Sequence, residues 1–219
     1  MKHFFNSKEA LNDGFVLWCS QQIENAVRAH GSANVLLSGG GTPGPAYAKM
    51  NAEFSFLSDL HLGLVDERFV SQDSEFSNER LIRHCFSNVA EQNISGMVYD
   101  IEDAERNLKI LTNKYNRYIQ RTDLIILGMG PDGHTASIFP DDSASESALE
   151  ATTPFLNTNA PTHPTNRITC SLDFIRKAKN CALLITGTQK LEVLKNTSLQ
   201  LPIHKVLDVC PNIQLFYSE

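Results

Sequence analysis

The chain has 219 residues, 42% hydrophobic and 20% charged, which fits one folded domain with a sizeable core and excludes a disordered chain. Its 19 basic and 25 acidic residues leave a formal charge of −6, unlike the basic face of a general nucleic-acid binder. No apolar run approaches the roughly 20 residues that span a bilayer, and the N-terminal MKHFFNSKEALNDGF lacks the apolar stretch of a secretory signal.

The elements alternate along the chain. Residues 8–30 place Leu11, Phe15, Trp18, Cys19, Ile23, Ala26 and Val27 on one helical stripe closed by Gly31. Asn34-Val35-Leu36-Leu37-Ser38 reads as a buried strand running into glycines, and Pro45 suits the first turn of the next helix. A second strand, Leu62–Val65, ends at Asp66-Glu67-Arg68. Ala104, Leu108, Leu111, Tyr115 and Tyr118 predict one helix over 102–119, and Asp123–Leu127 and Cys181–Thr186 predict strands. The stretch 141–166, rich in Asp, Ser, Thr, Asn and Pro, reads as a long surface loop. Five widely spaced cysteines with no C-x-x-C pair read as reduced, mostly buried thiols of a cytoplasmic protein. Strands alternating with helices predict a single α/β domain over 1–219. Its expected form is a three-layer α/β/α, Rossmann-like, mostly parallel sheet.

In such sheets ligands bind beyond the carboxyl ends of the strands. Four polar segments fall there: Ser38–Gly44, Asp66-Glu67-Arg68, Gly128–His134, and Lys190 after the last of these strands. The glycine loop 38–44 suits an anion, since backbone N–H groups and a helix N-terminus converge on it. It is not a Walker loop, because Pro45 and Ala46 stand where Lys and Ser/Thr are required. Gly39, Gly41 and Gly44 match G-x-G-x-x-G, as do Gly128, Gly130 and Gly133. Asp66 lies at the distance where a dinucleotide fold keeps its ribose-binding acid, so a nicotinamide-dependent oxidoreductase is an alternative. No Cys/His/carboxylate cluster has metal-ligand spacing, so no metal and no cofactor is expected.

LSGGGTPG (37–44), VDERFV (65–70), SNERLI (77–82), LGMGPDGHTASIFP (127–140), RITCSL (167–172) and ITGTQK (185–190) together resemble the 6-phosphogluconolactonases. The resemblance implies hydrolysis of 6-phospho-D-glucono-1,5-lactone and the α/β fold shared with sugar-phosphate isomerases and deaminases. Glucosamine-6-phosphate deaminases, the nearest alternative, read DGHIAFNEP in the last motif. Here DGHTASIFP puts Phe139 where their glutamate transfers protons. A non-catalytic sugar-phosphate sensor is a third alternative.

Within the lactonase reading His134 is the general base, because imidazole titrates near working pH. Asp132 orients it or caps a short helix over 135–139. Arg68 or the N–H groups of the glycine loops meet the oxyanion, and Arg68 alternatively pairs with Asp66 or Glu67. Thr42, Arg167 and Lys190, with the N–H groups of Gly39, Gly40 and Gly41, are the candidate phosphate ligands, and Asp66 a further substrate contact. Arg167 begins its strand, so reaching the common rim requires one antiparallel strand in a mixed sheet. His163 and His204 are expected at the surface. The expected partner is a small sugar-phosphate lactone, with no nucleic acid and no membrane, on a monomer or small homo-oligomer.

Overall fold

In the computed structural model, which describes residues 1–219, a short strand β1 (Lys2–Phe5) precedes the long helix α1 (Lys8–His30). Ser7 caps α1 by accepting the Ala10 N–H at 3.1 Å. Gly31 ends it in the left-handed conformation, φ 73°, which glycine adopts without Cβ strain. Leu11, Phe15, Cys19, Ile23 and Ala26 are buried along the predicted stripe, with Trp18 and Val27 partly buried at its margin. The chain continues through β2 (Ala33–Leu37), α2 (Gly44–Glu53, Pro45 in its first turn), β3 (Leu60–Leu64) and β4 (Asp66–Arg68). Helices α3 (Asn78–Cys85), α4 (Ala104–Lys114) and α5 (Asn116–Gln120) lead to β5 (Leu124–Leu127). α4 and α5 replace the single helix expected over 102–119. The break falls at Tyr115, whose buried hydroxyl accepts the Leu64 N–H at 2.9 Å and donates to the Ser95 carbonyl at 3.0 Å.

The second half runs α6 (Ser143–Glu150), β6 (Phe155–Asn159), β7 (Asn166–Cys170), α7 (Leu172–Ile175), β8 (Cys181–Thr186), α8 (Thr188–Lys195), α9 (Pro202–Val209) and β9 (Gln214–Ser218). The stretch 141–166 is therefore not a loop. Asp142 caps α6, accepting the Ser145 N–H at 2.9 Å and its hydroxyl at 2.7 Å, and also the Asn159 N–H at 3.2 Å, which ties α6 to β6. α6 buries only Ser145 and Ala148, so its polar composition hides it from a hydrophobic pattern. His204 is likewise not at the surface: it is 3% exposed, inside the first turn of α9. All five cysteines are buried and unbridged.

Six strands form a wholly parallel sheet in the order β1-β9-β8-β5-β2-β3. β2, β5 and almost all of β8 are buried, as expected for parallel strands covered on both faces. The chain winds from β2 outward to β3, then returns to the other side of β2 for β5 and continues away. The winding direction thus reverses between β2 and β5, which opens a crevice at their carboxyl ends. The antiparallel strand expected of Arg167 exists but lies outside this sheet. β7 pairs with β4 and β6 in a separate three-stranded antiparallel sheet. That sheet starts where the chain leaves β3, and the Val65 N–H still reaches back to Leu37 O at 3.0 Å.

Candidate active site

The two glycine loops leave β2 and β5 on either side of the crevice and frame a cavity of about 510 Å³. Gly39, Gly40, Gly41, Thr42, Asp66, Arg68, Asp132, His134, Arg167 and Lys190 all line it. The register of the small sheet explains which residues of the Asp66-Glu67-Arg68 run face it. Asp66 lies opposite Thr169 and Arg68 opposite Arg167, while Glu67 pairs with Ile168 on the other face. With side chains alternating along a strand, Asp66 and Arg68 turn to the cavity and Glu67 turns away. Glu67 is 2% exposed and accepts the N–H groups of Asn78 and Glu79, each at 2.7 Å, at the start of α3. Burial pushes its carboxyl up to about 7 despite those bonds.

Asp132 and His134 sit on the loop after β5. The His134 ring Nδ1 lies 2.6 Å from Asp132 Oδ1, which also takes the His134 backbone N–H at 3.2 Å. Burial works to raise the Asp132 carboxyl, but these bonds outweigh it and hold the group below its ordinary value. An ionised carboxylate only accepts, so Nδ1 carries a proton, and in the neutral ring Nε2 is the nitrogen with the free lone pair. Gly130 makes this contact possible, since a Cβ there would stand 2.2 Å from the imidazole and 2.5 Å from Asp132 Oδ1. The helix expected over 135–139 is absent. Thr135 and Ile138 form a bridge, and Ala136 takes φ 50°. Asp132 therefore holds the histidine and caps nothing.

Phe139 packs tilted against His134 at 4.7 Å between ring centroids, and the Arg167 guanidinium lies 5.8 Å from the centre of the same ring. Arg167 is 8% exposed with an Nε that has no partner. Burial and the neighbouring Arg68 hold its guanidinium below the usual arginine value. Arg68 pairs with neither Asp66 nor Glu67; its Nη1 donates to Phe76 O at 2.5 Å. Lys190, in the first turn of α8, is depressed by burial against the pull of Asp132. None of the three cations has a carboxylate in ion-pair contact, unlike Arg83, Arg106 and Arg121 elsewhere. The N–H groups of Gly39, Gly40, Gly41 and Thr42 also donate to nothing within the protein. The cavity thus offers three cations outside any ion pair, against the two carboxylates Asp66 and Asp132, together with free backbone donors, a fit for an anion. No group of three or more His, Cys, Asp or Glu side chains stands within metal-ligand reach.

A family profile described as glucosamine-6-phosphate isomerases/6-phosphogluconolactonase matches residues 6–211. The chain belongs to this family. It is 31% identical over 196 residues to a 6-phosphogluconolactonase of Rhizobium meliloti, covering 88% of this chain and 84% of that protein. It is 33% identical over 202 residues to one from Thermotoga maritima, covering 86% and 89%. A crystal structure of a 6-phosphogluconolactonase from Shewanella baltica superposes with a TM-score of 0.87 at 28% identity, over 100% of this chain and 97% of that one.

Within the family, Phe139 stands where the deaminase motif carries its glutamate. Sequence reasoning placed Ser38 and Met129 on the rim without giving them a role, and it missed Asn78, Ala136, Ser137, Pro161, Thr162 and Leu184, which also line the cavity. Ser137 donates to Asp66 Oδ2 at 2.6 Å, and Asn78 Nδ2 donates to Asp66 O at 2.9 Å, so both hold Asp66 in place. Their signal was present, because Asn78 and Ser137 fall inside SNERLI and DGHTASIFP. Ser38 is buried with a hydroxyl that has no partner.

Proposed function

We propose that this protein hydrolyses 6-phospho-D-glucono-1,5-lactone to 6-phospho-D-gluconate, a step of the oxidative pentose phosphate pathway. The observation that carries the reading is the 2.6 Å Asp132–His134 pair beside three cations without carboxylate partners. The family relationship and the lactonase relatives support it.

In this mechanism His134 Nε2 takes a proton from a water molecule as that water attacks the lactone carbonyl. Asp132 keeps the ring in the tautomer with Nε2 free and stabilises the imidazolium that forms. The carbonyl oxygen becomes an oxyanion, met by Arg68 or by the free N–H groups of the glycine loops. As the tetrahedral species collapses, the ring C–O bond breaks and the imidazolium returns its proton to the departing oxygen. Arg167, Lys190, Thr42 and the N–H groups of Gly40 and Gly41 hold the phosphate. His134 is 31% exposed at its side chain, so water reaches it.

The test is formation of 6-phosphogluconate from freshly made lactone, in chelator and without added cofactor. The expected result is a rate well above spontaneous opening. A rate no faster with correctly folded protein would overturn the assignment.

A further inference from the structure

His204 is not among the residues that line the cavity. Its Nδ1 accepts the Leu201 N–H at 3.0 Å, closing the N-terminus of α9, and its Nε2 lies 3.2 Å from Val193 O in α8. A backbone N–H only donates and a carbonyl only accepts, so the ring is the neutral Nε2–H tautomer with both nitrogens engaged. Each bond leads to the site. Val193 follows Lys190 by one turn of α8. On the other side, the Ile203 N–H, one residue from His204, donates to Gly133 O at 3.1 Å. Leu201 fills the space over Gly133, where a Cβ would stand 2.5 Å from Leu201 Cδ1. Gly133 is bonded directly to His134.

We propose that His204 is a positioning residue that fixes Lys190 relative to the His134 loop through its bond to Val193 in α8, while the Ile203–Gly133 bond ties α9 to that loop. α8 has only eight residues and a glycine without a side-chain cap at its start, so local helix strength alone holds it weakly. The imidazole sets the spacing between the cation that grips one end of the substrate and the base that works at the other. The inference rests on Lys190 being a phosphate ligand.

Two near-isosteres separate the two bonds of the ring. In His204→Asn the amide oxygen takes the place of Nδ1 and keeps the cap, but nothing reaches Val193. In His204→Gln the amide nitrogen takes the place of Nε2 and keeps the bond to Val193. His204→Asn should raise KM for 6-phosphogluconolactone by roughly 3- to 10-fold, the worth of one neutral hydrogen bond, with kcat within about twofold. The inhibition constant of inorganic phosphate should rise by the same factor. His204→Gln should restore both constants, even where thermal unfolding shows that it has lost the cap. Equal shifts in the two variants, or a fall in kcat matching the rise in KM, would reduce His204 to a part of the fold. Lys190→Ala is the control. If it leaves phosphate inhibition unchanged, the phosphate reading falls and this inference with it. If it weakens phosphate inhibition while His204→Asn does not, only the role of His204 falls.

Discussion

Arg167→Met keeps an unbranched apolar side chain against Phe139 while deleting the guanidinium. In the free protein that guanidinium is a liability, since its Nε is buried without a partner and Arg68 faces it directly across the strands. An unsatisfied buried donor costs about 1–3 kcal/mol, and like charges opposite each other in a sheet cost about 0.2–1 kcal/mol. Against this stands a cation–π contact with Phe139, worth about 2 kcal/mol at so buried a site. The net expectation is a free protein stabilised by roughly 0.5 kcal/mol, or about 1–2 °C in Tm for a chain of this size. Binding moves the other way. Losing a charged hydrogen bond weakens 6-phosphogluconate roughly 10- to 150-fold. At a ligand concentration of about 100 Kd the parent gains about 2.7 kcal/mol, while the variant gains no more than about 1.4 kcal/mol. Thermal unfolding with and without 6-phosphogluconate should therefore show the order of the two proteins reversing. A variant that is less stable without ligand, yet gains as much from ligand as the parent, would refute the assignment of Arg167 to the anion.

His134→Ala should lower kcat by roughly 10²–10⁴-fold, and Asp132→Asn by a smaller factor because the ring remains; initial rates on fresh lactone decide both, and a folded His134 variant with nearly full kcat would remove the base. The protein should release no ammonia from glucosamine 6-phosphate, since Phe139 transfers no proton; ammonia release comparable to the lactonase rate would contradict this. Glu67 predicts a pH effect on stability. Its folded value of about 7 lies above the ordinary 4.5, so the folded state holds the proton more tightly. That contribution, roughly 3 kcal/mol for a rise from 4.5 to about 7, is fully present below pH 4.5 and is lost as pH rises through 7. Denaturant midpoints across pH 5–8 should flatten in Glu67→Gln, and an unchanged slope would clear Glu67 of the effect.

Much of this was legible in the sequence. α1 ends at its predicted glycine and β8 spans its predicted residues, because a long apolar stripe and a fully buried run are local patterns. The rim was legible because two glycine loops follow two such strands. The small sheet was not. Asp66 meets Thr169, and Arg68 meets Arg167, across about 100 residues of chain, and no local pattern announces a three-residue strand. α6 escaped because its cap and its two small buried residues carry the information that apolar periodicity usually does. His204 escaped for a related reason. A lone histidine has no spacing to read, and only the fold, which brings Val193 of α8 within reach of His204 in α9, shows what its two nitrogens do.

The position of β9 bears on how the protein is made. Residues 214–218 form the strand that lies between β1 and β8, so the sheet closes only after every other strand in it has left the ribosome. Until then β8, Cys-Ala-Leu-Leu-Ile-Thr, presents an apolar edge with unpaired N–H and C=O groups, the kind of surface that recruits another nascent chain. β1 waits longest: synthesised first, it has no partner in the sheet except β9. A message truncated a few codons before residue 214 would therefore leave a strand unpaired at one end of the fold and an open edge in its middle. Such a product belongs with the chaperones and proteases, although every residue of the cavity would already have been translated.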